Sequence, residues 1–164
     1  MKRLLCLIIL AALLLFGCSG QGQHFKEPVT FYYLRSQFAC GSSQSILDGE
    51  ERESSGHRGD LRYLMALYLM GPSGEELRSP LPLDTRILSV EQEASAVTLT
   101  LSEVPASMTD VSFSLACACL AKTCIGLTQV SSVTVVSGAR TVTMRTDNLI
   151  LTDSYDATQT EETK

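Results

Sequence analysis

The chain has 164 residues, of which 45% are hydrophobic, 6% aromatic and none tryptophan; that suits one domain with a mostly aliphatic core. Its formal net charge is -5. An acidic balance speaks against nucleic acid, because phosphate binding rests on clustered Lys and Arg, and against holding anionic lipid by charge alone.

The N-terminus reads as an export signal over residues 1–17. Lys2-Arg3 is a short positive region, and Leu4 to Phe16 is an almost unbroken apolar run. That run is roughly 13 residues, where a membrane-spanning helix needs about 20. Its length and flanks match a secretory leader. Leu15-Phe16-Gly17-Cys18 resembles the lipobox of bacterial lipoproteins, with an apolar residue at -3, a small one at -1 and cysteine at +1. The resemblance implies cleavage before Cys18 and a diacylglycerol on its thiol, so that the protein is anchored to the outer face of the cytoplasmic membrane. Acyl chains of the palmitate type contribute about 0.8 kcal/mol per buried methylene, and two or three of them hold a protein firmly. Loss of Lys2 and Arg3 leaves 11 basic against 18 acidic residues, a net charge of -7. Residues 18–27 form a polar, Gly-containing tether.

Residues 28–147 carry the periodic patterns. Val29, Phe31 and Tyr33 alternate with Thr30 and Tyr32, a strand signal. Residues 41–58 are polar, with a weak second strand around 44–53 and then a loop. Asp60 is placed to cap a helix from Leu61 to Met70, in which Leu61, Leu64, Leu67 and Tyr68 share a face. Gly71-Pro72 ends that helix. A Pro-rich loop follows over residues 72–85. Arg86–Glu91 and Ala96–Leu101 read as paired strands, the second alternating Val97, Leu99 and Leu101 with threonines.

A second helix is predicted from Thr109 to Leu127. Phe113, Cys117, Leu120, Cys124 and Leu127 share one face, and Lys122 is its only base. A helix apolar over most of its circumference lies deep in a core or against a partner. Val133 and Val135, a Ser137-Gly138 turn, then Val142 and Met144 give the last two strands. The order is β-β-α-β-β-α-β-β. The simplest packing is a single α+β domain, a mixed β-sheet with two α-helices on one face. Residues 148–164 form a polar tail without periodicity.

Six cysteines are present. Cys6 leaves with the leader and Cys18 takes the lipid, which leaves Cys40, Cys117, Cys119 and Cys124. Along a helix Cys117 and Cys124 are roughly 10 Å apart, whereas a disulfide needs Cα atoms within about 7 Å. At most one disulfide, from Cys40 to a helix cysteine, is open to the chain. Buried free thiols are the favoured reading, and no four ligands converge for zinc. His24 falls in the tether and His57 in a polar loop, both read as solvated. The carboxylates of Asp48–Glu53 read as a solvated edge, since the spacing of a calcium loop is missing. No positioned acid, base or nucleophile emerges, so the sequence points away from an enzyme and implies no cofactor or metal.

Residues 64–101, LMALYLMGPSGEELRSPLPLDTRILSVEQEASAVTLTL, resemble the GerMN domain family of sporulation and spore-germination proteins. The resemblance lies in the helix ending at Gly71-Pro72, the loop with Leu77, Ser79-Pro80, Pro82 and Thr85, and the hairpin closing on Leu101-Ser102. Thr123, Leu127, Val130, Val133 and Gly138 continue it, and Val29–Leu34 fits the family's first strand. The chain departs from the pattern at Thr100, where aspartate is common, and in its cysteine-rich helix. The resemblance implies a non-enzymatic assembly module with an envelope or sporulation protein as partner. It carries over no catalytic residue. Cys18 is the one candidate site residue, as the lipid attachment point. The alternative is a lipoprotein that binds a cell-wall fragment or small solute.

Overall fold

The computed structural model describes residues 25–37, 45–147 and 149; the leader, Cys18, His24, Cys40 and the tail from residue 150 lie outside them. Strand β1 (Pro28–Arg35) pairs antiparallel with β2 (Leu47–Glu53), from Pro28 opposite Glu53 to Leu34 opposite Leu47. The end of β1 also pairs with β3 (Leu77–Arg78). A second sheet has the order β4 (Ile87–Glu93), β5 (Ala96–Leu101), β6 (Ser132–Ser137), β7 (Arg140–Arg145). Its β5–β6 pair is parallel and the other two are antiparallel. Parallel neighbours need a long crossover, which is supplied by helix α2 (Asp110–Thr128). Helix α1 (Leu61–Leu69) lies between β2 and β3 in sequence.

The α+β class and the two helices are as expected. The strands, however, divide into a three-stranded antiparallel sheet and a four-stranded mixed one, with α2 touching β1, β6 and β7 and so bridging them. The reason lies at the second edge of β1. Arg35 donates its N–H to Ile46 O, and Ser54 donates to Glu27 O, so the odd-numbered residues of β1 face β2. Tyr32 therefore turns its N–H and C=O the other way. Among the described residues no strand meets them there. The N–H donates to Thr123 Oγ1 of α2 at 2.9 Å, and the Tyr68 hydroxyl of α1 donates to the carbonyl at 3.1 Å. Two helices thus finish an edge that another strand would otherwise extend. Replacing Thr123 by valine keeps the volume and removes the acceptor. The expected loss is about 1–3 kcal/mol of stability, against a smaller loss for serine, read as the shift in urea midpoint; equal midpoints for the two variants would contradict this assignment.

Local chemistry explains the helix limits. The Asp60 carboxylate accepts from Tyr63 N–H at 3.0 Å, and Gly71, at φ +84, takes the left-handed conformation after the last turn. In α2, Thr109 Oγ1 accepts from Ser112 N–H. The core runs through both sheets, with Phe31, Tyr33, Leu64, Met65 and Tyr68 at one end and Leu99, Leu101, Leu120, Val133 and Val135 at the other. Around α2, Phe113, Ala116–Ala121, Thr123 and Cys124 are all buried. Its apolar circumference is thereby explained: the helix is the core element of the domain.

Candidate functional site

The acidic run on β2 is more committed than a solvated edge. Glu50 accepts from both the N–H and the hydroxyl of Ser73, each at 2.9 Å. Arg52 donates to Gly71 O at 2.9 Å, with its guanidinium 5.9 Å from the Phe31 ring centre and its Nε 3.8 Å from Glu50. The pair clamps the Gly71-Pro72-Ser73 exit of α1 onto β2. Glu53 accepts from the N–H groups of Lys26 and Glu27, at 2.7 and 3.1 Å, and so fixes the entry into β1. Asp48 is paired with Arg35 at 2.6 Å. Glu51 stays exposed. Among the described residues no three His, Cys, Asp or Glu side chains are placed to hold a metal.

Beside this strand runs an open groove of about 620 Å³. Its apolar walls are Phe25, Tyr63, Leu67 and Leu77, and β2 contributes carboxylates along its length. The strand's own free edge is part of it. Since even-numbered residues of β2 bond to β1, Gly49 and Glu51 point their backbone groups outward. The Gly49 N–H is taken by the Asp48 carboxylate at 2.8 Å. Such an edge, with negative charge around it, offers hydrogen bonds to an extended partner segment.

The other candidates fall into packing roles. Cys117, Cys119 and Cys124 are buried and free, and burial pushes each thiol up to about 12. Cys124 Sγ lies 3.6 Å from Met65 Sδ. His57 is exposed and its ring stacks on Tyr63 at 4.0 Å. Tyr33 and Tyr68 stack at 4.7 Å with an interplanar angle of 7°, and burial raises both phenols. Cys18, His24 and Cys40 lie outside the described residues, so neither the lipid site nor a Cys40 disulfide bears on this geometry. The clamp and the β2 groove were missed in the sequence, which shows that carboxylates cluster but not which backbone groups meet them.

No family model matches the chain, and no curated protein matches it. Two solved structures are similar to part of this chain. One is the crystal structure of a candidate lipoprotein from Clostridium perfringens, 17% identical over 70% of this chain and 77% of that one, with a TM-score of 0.44. The other is the tandem GerMN domains of the sporulation protein GerM from Bacillus subtilis, 20% identical, with a TM-score of 0.49. It is covered over 69% of this chain, which spans 39% of that one.

Proposed function

We propose that this chain is a lipid-anchored, non-enzymatic interaction module at the outer face of a bacterial membrane, serving the assembly of an envelope or sporulation complex. The observation that carries the reading is Leu15-Phe16-Gly17-Cys18, set behind Lys2-Arg3 and a short apolar run. Attachment through Cys18 confines the domain to a thin layer and raises its effective concentration for an envelope partner. The groove along β2 supports a protein partner over a small solute, because small-molecule sites bury most of their ligand, whereas this one is open and borders a free strand edge. The sporulation setting rests on the GerMN-like stretch at residues 64–101.

The test is Cys18→Ala expressed beside wild type, followed by separation of membranes and capture of bound proteins. Wild type is expected in the membrane fraction with an envelope protein attached, and the variant in the soluble fraction with that protein lost. A variant that stays in the membrane as wild type does would overturn the anchored reading.

A further inference from the structure

A second groove lies on another flank of α1. It has about 560 Å³ between α1 and the start of β4, with Leu69 and Ile87 among its lining. Met70 and Leu83 stand on its rim, 75% and 90% exposed. Arg62 and Arg86 flank it, and both are exposed. We propose that this face rests on the surface of an anionic phospholipid bilayer, with Met70 and Leu83 entering the interface and the two arginines meeting lipid phosphates. The inference builds on the anchored reading above and adds an orientation to it.

Leu83 carries the first argument. It lies inside a turn closed by Thr85 N–H donating to Pro82 O at 3.1 Å. The base of that turn is fixed by buried Leu81, whose N–H and C=O both bond the Ser79 hydroxyl, and by Pro80 and Pro82. Turn positions ordinarily carry Gly, Pro, Asn, Asp or Ser. Here a rigid loop holds a leucine out in solvent, where it adds nothing to the core. Met70, at the end of α1, extends the same apolar rim.

Charge carries the second. The protein is acidic, yet no carboxylate lines this groove; the neighbouring Asp60 and Asp84 are outside it. The ion pairs among the described residues engage Arg35, Arg52 and Arg140, not Arg62 or Arg86. The acidic groove is lined from α1 by Tyr63 and Leu67, and this one by Arg62, Ala66, Leu69 and Met70. The two grooves therefore open on different faces of α1, and Asp60 and Asp84 are the carboxylates nearest these arginines in sequence. Apolar side chains flanked by arginine fit the composition of interfacial binding surfaces.

Reach carries the third. Phe25 borders the acidic groove beside Tyr63. Six residues separate it from Cys18, so the two are at most about 25 Å apart. A lipid on Cys18 therefore keeps either flank of α1 close enough to touch the bilayer.

The chain contains no tryptophan, so Leu83→Trp installs a single fluorescent reporter on the groove. Val111→Trp, at a position 71% exposed and outside the groove, is the control. Lipid-carrying protein is reconstituted into vesicles of phosphatidylglycerol and phosphatidylethanolamine containing brominated lipid. Quenching of L83W is expected to exceed that of V111W by about threefold, with a blue-shifted emission. Adding R62E and R86E, or using neutral phosphatidylcholine, is expected to bring it down toward the control. Equal quenching of the two reporters in protein that floats with the vesicles overturns this inference alone, and leaves the face to a protein or small apolar ligand. Protein that does not float overturns the anchored reading, and this inference with it.

Discussion

At pH 8 the thiols of Cys117, Cys119 and Cys124 are expected to alkylate roughly 1,000-fold more slowly in the folded protein than in denaturant. Only the thiolate reacts, and burial moves each group from about 9 to about 12, which lowers the thiolate fraction by about three powers of ten. Timed iodoacetamide labelling with peptide mass spectrometry separates these three from the other cysteines. Labelling of any of them in native protein at the rate of an open thiol would refute the packing role. The same shifts carry a pH signature. A folded-state value above the unfolded one means that the folded thiol keeps its proton while the unfolded chain releases it. The stabilisation is therefore complete below about pH 9 and is lost as pH rises toward about 12. Tyr33 and Tyr68 are raised by burial as well and act in the same direction. The urea midpoint should fall steadily above pH 9.

Replacing Tyr68 by alanine is expected to cost about 3–5 kcal/mol, a large share of the about 5–15 kcal/mol that holds a domain together. The ring is fully buried, stacks on Tyr33 and meets Phe31 edge-on at 5.9 Å. Its backbone carbonyl accepts from the Tyr33 hydroxyl at 2.9 Å, while its own hydroxyl donates to Tyr32 O. Alanine thus opens a cavity and orphans the Tyr32 carbonyl. Tyr68→Phe keeps the rings together and removes only that last bond, for about 1 kcal/mol. Guanidinium unfolding of the two variants checks both the size and the order. Tyr68→Ala within 1 kcal/mol of wild type would refute the placement of this ring at the junction of α1 and β1.

What the sequence disclosed was local. Asp60 and Gly71-Pro72 bracket α1 because caps act within a few residues, and the alternation from Ala96 to Leu101 marks β5 because period two is a property of one strand. Thr109 likewise starts α2. The limits of β3 were illegible for a physical reason: two residues have no periodicity, and Leu77–Arg78 become a strand only by pairing with Leu34 and Arg35. The division into two sheets was hidden in the same way, since it depends on Thr123 and Tyr68 reaching Tyr32. The carboxylates of β2 were visible as a cluster, but the Gly71 and Ser73 groups that share their clamp lie about twenty positions further on. Leu83 looked like one residue of a Pro-rich loop. Its exposure follows from the turn at Pro82–Thr85, which the three-dimensional fold fixes.

The bond from Tyr32 to Thr123 also sets a clock. Its partners are 91 residues apart, and a ribosome adds about 5–20 residues per second. From the time Tyr32 is made, about 5–20 s pass before its acceptor exists. Through that interval the Tyr32 N–H, within the apolar and aromatic run Val29–Leu34, lacks its acceptor, although Tyr68 and β3 reach the same edge sooner. Such a segment pairs readily with a copy of itself. In the exported chain proposed above, that wait lasts until α2 has crossed the membrane as well, so a holdase that shields the run is of most use before then.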